Sequence, residues 1–269
     1  MPDGEDTPPT GARPVPPVPR AALVTGAGQR IGRALALALA EDGYAVAVHY
    51  HASRNDAAAV VAAIRETGGR AAAVAADLAD EEAVAALLPR AVAALGGPIG
   101  VLVNNASVFA DDTVESATRE SWERHFAVNL RAPFVLIQEF ARQLPPDVSG
   151  VVVNLLDERV WCPTPFFVSY TVTKSALWTL TQTMALALAP RIRVNGIGPG
   201  PTLPSPRQTP EQFARQCAIL PLRRGTSPEE IAAALRFILA APALTGQMIA
   251  LDGGQHLGWA QPQRPQIPE

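Results

Sequence analysis

Seven short apolar runs, separated by stretches with helical spacing, set the limits on what this chain can fold into. The runs are AALVTG, YAVAVHYH, RAAAVAADL, IGVLVNNAS, GVVVNLL, IRVNGIGPG and QMIALDGG. They are continuous rather than alternating apolar with polar, so each reads as a strand buried on both faces. Between them, QRIGRALALALAEDG, NDAAAVVAAIRETGG, DEEAVAALLPRAVAALGG, residues 118–143, residues 165–189 and SPEEIAAALRFILAAP carry helical patterns, and a proline-rich loop follows the sixth run. Strands alternating with helices predict one parallel seven-stranded sheet flanked by helices on both faces.

The 269 residues suit one large α/β domain, and 48% apolar content suffices for its core. We read residues 20–258 as that domain, 1–19 as a disordered proline-rich arm and 259–269 as a tail. A net charge of −3 leaves no broad basic surface and argues against nucleic acid as a partner. No uncharged apolar stretch is long enough to span a bilayer, and the arm lacks the apolar segment of a signal peptide. Cys162 and Cys217 have neither metal-site nor redox-motif spacing. These features predict a cytoplasmic protein with reduced thiols, no metal and no membrane association.

The first strand runs into TGAGQRIG, residues 25–32. Glycine at a strand-to-helix turn lets backbone approach a pyrophosphate, and the helix N-terminus offers it free N–H groups. The second strand ends in HYHASR, and no acid lies between Gly43 and Asn55 to hold a ribose 2′-hydroxyl. His49, His51, Ser53 and Arg54, with Arg30 nearby, are donors suited to a 2′-phosphate, which predicts NADPH. Strand order and turn together predict a single Rossmann-type, doubly wound domain.

Tyr170 and Lys174 stand four apart in YTVTK, on one face of a helix. An ammonium there can lower the phenol's pKa and make it a proton donor or acceptor. Thirteen residues earlier, where enzymes with this pair usually carry a serine, stands Asp157.

TGAGQRIG, the DL of Asp77 and Leu78, NNAS at 104–107, Asn129 in VNL, YTVTK, GPGPT at 198–202 and DGG at 252–254 occur in an order that resembles the short-chain dehydrogenase/reductase family. The resemblance covers residues 20–258. It implies that Gly26, Arg30 and Ile31 line the cofactor phosphates, with His49, Tyr50, His51 and Ser53 at the adenosine end. Asp77 and Leu78 would contact the adenine. Asn105, Ala106 and Ser107 would line the nicotinamide ribose, and Pro199 and Gly200 the nicotinamide. Lys174 would hold the ribose hydroxyls and depress the Tyr170 pKa. Asn129 would support a water relay to Lys174.

Three departures resemble the pteridine reductase subgroup, together with HYH. Arg30 replaces the turn's last-but-one glycine, NNAS followed by Phe109 replaces NNAG, and Asp157 replaces the serine. Where the subgroup often has arginine after HYH, this chain has Ala52, with Arg54 two residues on. The likeness implies a substrate site of Arg30, Ser107, Phe109, Asp157 and Tyr170. Phe109 would stack a pterin-like heterocycle, and Asp157 and Tyr170 would handle protons. The chemistry agrees. Ketone reduction builds negative charge on oxygen, which a hydroxyl stabilises and a carboxylate opposes. Pterin reduction needs a proton at or beside ring nitrogen, which a carboxyl can deliver.

The expected activity is NADPH-dependent reduction of a 7,8-dihydropterin, with dihydrofolate as a secondary substrate. The alternatives are a carbonyl reductase of the same family and a cofactor-binding regulator with little turnover. Trp161, Phe166 and Phe167 fit either the pocket or a core or subunit contact. His125 and His256 are expected in core or surface roles. Trp178 and the apolar stretch ALWTLTQTMALALA suit subunit pairing, as implied for a homotetramer.

Overall fold

The computed structural model describes residues 16–205 and 207–257. In chain order these form β1 (Ala21–Val24), α1 (Arg30–Glu41), β2 (Ala45–Tyr50), α2 (Arg54–Glu66), β3 (Ala71–Ala75), α3 (Glu81–Leu95), β4 (Val101–Asn104) and α4 (Arg119–Phe126). A π-helical segment (Ala127–Arg131) then leads into α5 (Ala132–Gln143). β5 (Gly150–Leu155), α6 (Val168–Leu188), β6 (Ile192–Pro199), α7 (Pro210–Ala218), α8 (Pro228–Ala240) and β7 (Met248–Leu251) complete it. The sheet order is β3-β2-β1-β4-β5-β6-β7 with parallel pairings throughout. The chain winds outward in one direction from β1 to β3 and in the other from β4 to β7. The reversal between β1 and β4 opens a crevice at the strands' carboxyl ends.

Each strand feeds two cores because side chains alternate across the sheet. Ala22, Val24, Val46, Val48, Val101 and Val103 face a core with α1, α2 and α8. Ala21, Leu23, Ala45, Ala47, Leu102 and Val152 face one with α3 and α5. Burial on both sides is why these strands read as continuous apolar runs. The alanines of α1, Ala36 and Ala38, pack with Leu35 and Leu39 against the sheet.

The expected helices differ from the structure in three places. The helix expected over 118–143 is interrupted by the π-helical segment, which carries Asn129. The helix expected from 165 begins at Val168, because Phe167 takes a left-handed conformation (φ 57°) that helical geometry excludes. The proline-rich loop after β6 contains α7, whose start is a capping box between Thr209 and Gln212 with Pro210 at the first turn.

At the amino end, Ser149 N–H donates to the Pro17 carbonyl at 3.1 Å, its Oγ bonds the Pro16 carbonyl, and Val18 packs on the core. Residues 16–19 of the expected arm are therefore held against the domain. The rest of the arm, 1–15, and the tail, 259–269, lie outside the described residues. Among the described residues no helix is long and apolar enough to cross a membrane, and no cluster of three metal-ligating side chains occurs.

Candidate active site

Two adjoining cavities occupy the crevice. The first, about 490 Å³, is lined by Gly26, Arg30, Ile31, His49, Tyr50, His51, Ser53, Asp77, Leu78, Asn105, Ala106 and Ser107. The structure thus brings together most of the residues expected at the phosphates, adenosine and ribose, though not Arg54 or Lys174. Arg124 and Val128 join them from α4 and the π-helical segment; Val128 opens the VNL motif, and no motif marks Arg124.

Gly26 has φ +62° at the turn after β1, and a side chain at Gly32 would collide with the Gly26 carbonyl and the Asn105 amide. Asn105 locks the turn to β4, donating from Nδ2 to the Thr25 carbonyl at 2.8 Å and to the Gly26 carbonyl at 3.2 Å. Thr25 reciprocates: its Oγ1 accepts from the N–H groups of Asn105 at 2.9 Å and Ala106 at 3.0 Å. The threonine before the glycine turn was the available signal for this role. Arg30 has φ +52°, the conformation of the glycine it replaces. Neither Gln29 at the start of α1 nor Ser53 at the start of α2 caps its helix with its side chain. The start of α1, with Arg30, Ile31 and Gly32 in the lining, therefore presents uncapped N–H groups to the crevice, as an anion requires.

His49 is corrected. It is buried, its Nδ1 accepts from Gly26 N–H at 3.0 Å, and its Nε2 lies 3.2 Å from the Ala76 carbonyl. Burial pushes its pKa down to about 4, so it is neutral and both ring nitrogens serve the backbone. It shapes the glycine turn and leaves no donor for a phosphate. His51 is exposed, with Nε2 3.6 Å from Asp77 Oδ2. Arg54 does not line the cavity.

The second cavity, about 600 Å³, shares Arg30, Ile31, Asn105 and Ser107 with the first. It adds Phe109, Asp157, Tyr170, Lys174, Pro199 and Gly200. Tyr170 O–H donates to Asp157 Oδ2 at 2.8 Å. The same carboxyl accepts from Arg159 N–H at 2.9 Å and from the Arg159 guanidinium at 3.2 Å to each oxygen. Asp157 is thus both the tyrosine's partner and half of an ion pair.

The Tyr170–Lys174 expectation also needs correction. Lys174 Nζ donates to the Leu155 carbonyl at 2.7 Å and lies 5.6 Å from the Tyr170 ring centre. The Tyr170 pKa is pushed up rather than down, by burial first and then by the adjacent Asp157 carboxylate, with Arg159 opposing. Burial lowers Lys174 to about 8, against the pull of Asp157. Tyr170 therefore keeps its proton and presents it to Asp157.

Asn129 lines neither cavity. Its Oδ1 accepts from Ser107 Oγ at 3.1 Å and Val108 N–H at 2.7 Å, and its Nδ2 donates to the Val108 carbonyl at 2.9 Å and Thr173 Oγ1 at 3.2 Å. These contacts use all four hydrogen-bonding positions of the amide. The side chain clamps the 107–108 segment to α6, and with all four positions engaged it has none left for a relay water.

The rings of Phe109 and Phe167 stack 4.4 Å apart at 6°, and Phe109 meets Tyr170 edge-on at 4.7 Å. Phe167 lines the cavity, whereas Trp161 and Phe166 do not. Trp161 packs on His256, whose Nδ1 is 2.7 Å from Asp252 Oδ2. His125 is buried, its Nε2 accepting from Ala110 N–H at 3.2 Å. Arg30 crosses the junction of the two cavities and donates to the carbonyls of Pro204 at 2.9 Å and Leu203 at 3.1 Å.

The short chain dehydrogenase family profile matches residues 20–213. A 3-oxoacyl-[acyl-carrier-protein] reductase, FabG, of Staphylococcus aureus is 35% identical over 246 residues, covering 88% of this chain and 98% of that protein. The crystal structure of FolM alternative dihydrofolate reductase 1 from Brucella suis in complex with NADP superposes with a TM-score of 0.87 at 48% identity, covering 92% of this chain and 98% of that one. Its counterpart from Brucella canis, also with NADP, gives 0.87 at 47% identity, covering 93% and 98%.

Proposed function

The chain belongs to the short chain dehydrogenase family, and on that premise we propose that this oxidoreductase is an NADPH-dependent reductase of pteridines. Its substrate on this reading is a 7,8-dihydropterin, reduced to the tetrahydro form, with dihydrofolate as a second substrate. The observation that carries the reading is Asp157, bonded to Tyr170 at 2.8 Å where carbonyl reductases of this pattern need a hydroxyl. The stacked Phe109 and Phe167 at the same cavity supply a flat apolar face for a flat heterocycle. Likeness to the NADP-bound Brucella dihydrofolate reductases supports the same conclusion.

The residues fit a phosphorylated dinucleotide. The uncapped start of α1 faces the crevice, and His51 and Ser53 line it. Asp56, the first acid after HYHASR, bonds Gln29 and is not in the lining. Gly26, Arg30 and Ile31 would hold the phosphates, Asp77 and Leu78 the adenine, and Asn105, Ala106, Ser107 and Lys174 the ribose beside Pro199 and Gly200. When bound, the cofactor supplies the hydride. The protein's own residues do the rest. Phe109 and Arg30 orient the ring. Tyr170 keeps its own proton and orients Asp157 through their hydrogen bond; Asp157 takes a proton from solvent, passes it to the ring nitrogen beside the reduced carbon and returns to the carboxylate. Arg159 balances the carboxylate's charge and fixes its orientation. The Asn129 clamp sets the position of Ser107.

We assign the working form as a homotetramer in the cytoplasm. An apolar hollow on the α4, α5 and α6 side, lined by Trp122, Phe126, Leu130, Phe134 and Leu180, supports pairing through that face. Trp178 instead packs within the chain near Leu156, Leu177 and Met248. The free thiols of Cys162 and Cys217 suit a reducing compartment.

The test is NADPH oxidation by the purified protein with 7,8-dihydrobiopterin, dihydrofolate and an acetoacetyl thioester. The expected kcat/KM for the dihydropterin exceeds that for the thioester by tenfold or more. Preference for the thioester would establish a carbonyl reductase, and no turnover of any of the three would favour a cofactor-binding regulator.

A further inference from the structure

We infer that Arg207 recognises a carboxylate on the outer end of the substrate, so that the site discriminates in favour of pteridines carrying an anionic tail. The inference rests on the pteridine reductase reading and specifies which pteridines that site prefers. Two guanidinium groups flank the Phe109–Phe167 stack at nearly equal distances. Arg159 lies 5.6 and 5.4 Å from the two ring centres, and Arg207 lies 5.4 and 5.6 Å from them. Their situations differ in one respect that decides their use.

Arg159 is largely buried and its charge is matched by Asp157. Arg207 is exposed, and the one hydrogen bond of its guanidinium among the described residues is to the Phe109 carbonyl at 3.3 Å. No carboxylate among the described residues lies within ion-pair distance of it. Asp111, an exposed acid of the same cavity lining, pairs with neither arginine of the mouth. Arg30 is the other such cation, likewise held only by carbonyl oxygens. The deep end of the cavity thus pairs Asp157 with Arg159, while Arg30 and Arg207 at its mouth have no ion-pair partner among the described residues.

Position gives that charge a direction. Arg207 is anchored to the backbone of Phe109, the residue expected to stack the heterocycle. A substituent leaving the ring edge past Phe109 toward solvent meets the guanidinium. A planar fork with several N–H donors fits a carboxylate better than any neutral tail. At an exposed site the pairing is screened by water and salt, so its effect belongs in substrate affinity rather than in the chemical step.

The experiment compares dihydrofolate, which carries a glutamate tail, with 7,8-dihydrobiopterin, which has no carboxylate, in the native full-length protein and in Arg207→Gln and Arg207→Lys. With NADPH saturating, Arg207→Gln is expected to raise the KM for dihydrofolate about tenfold more than the KM for dihydrobiopterin, with little change in kcat for dihydrofolate. Arg207→Lys should recover part of the loss. Raising the salt concentration should raise the native KM for dihydrofolate more than that for dihydrobiopterin. KM values that move together for the two substrates within twofold, or an unmoved KM for dihydrofolate, would overturn the inference. Native protein that reduces neither substrate would sink the parent reading, and this one with it; native protein that reduces dihydrobiopterin alone would sink only this one.

Discussion

Glu158 is a second carboxyl beside Asp157, and the proposed chemistry makes no use of it. It stands in the short 3-10 turn after β5, lines the second cavity and is only 2% exposed. Its Oε2 has no hydrogen-bond partner. Burial, followed by the charge of Asp157, lifts its pKa from 4.5 to about 8, with Arg159 pulling the other way. Between those values the unfolded chain has released this proton while the folded chain still holds it. Stability therefore falls as pH rises through that window, and the full penalty is present above about 8. A carboxyl moved that far stores on the order of 5 kcal/mol against its ionised form, a ceiling that relaxation and water entry reduce. Glu158→Gln keeps the size and removes the titration. At pH 5 the variant should match the native protein within about 1 kcal/mol, the scale of one hydrogen bond. At pH 8.5 it should be more stable by roughly 2–5 kcal/mol. Urea unfolding at both pH values and one protein concentration reads this directly, since other titrating groups are common to both proteins. A native-to-variant difference that stays the same at the two pH values would refute the reasoning.

Two further outcomes are expected. NADPH should be preferred over NADH by tenfold or more in kcat/KM, because the end of the crevice after β2 offers His51 and Ser53 and the segment between Gly43 and Asn55 holds no acid for a ribose hydroxyl; equal efficiency with the two cofactors would contradict it. Phe134→Glu places a charge in the apolar hollow on the α4–α6 side, so light scattering should show the native tetramer replaced by a smaller species, and a native monomer at micromolar protein would end the assembly proposal.

Much of this was legible in the chain because burial on both faces leaves a plain mark. GVVVNL and AALV have no residue on a wet face, so the strands and their order in sequence could be read directly. The glycine turn, NNAS and YTVTK were legible because each binds backbone or cofactor through a fixed local spacing. The features that escaped depend on neighbours distant in sequence. The Tyr170–Lys174 spacing is right for one helix face, yet Lys174 turns to the Leu155 carbonyl and Asp157 dominates the phenol. His49 looks like a donor in HYHASR, but β2 buries it against the glycine turn and Ala76. The π-helical segment at Asn129 leaves no compositional trace. α7 was hidden by the prolines of the surrounding loop, although Thr209 and Gln212 carried its capping signal.

The central claim is that Asp157 handles the proton in pteridine reduction. Its most direct test is the kinetics of Asp157→Ser, with Asp157→Asn as the nearer match in shape, since either leaves the largely buried Arg159 without its ion-pair partner. Dihydropterin turnover is expected to fall by about 10²–10⁴ in both, the scale of one general acid or base. NADPH affinity, followed by fluorescence titration, should remain within a few fold, which also shows that the variants fold. In Asp157→Ser, reduction of an acetoacetyl thioester should rise relative to dihydropterin, because a hydroxyl then faces the substrate oxygen. Full dihydropterin reductase activity in Asp157→Ser would show that the carboxylate serves only the Arg159 and Tyr170 contacts of the fold, and would contradict the account.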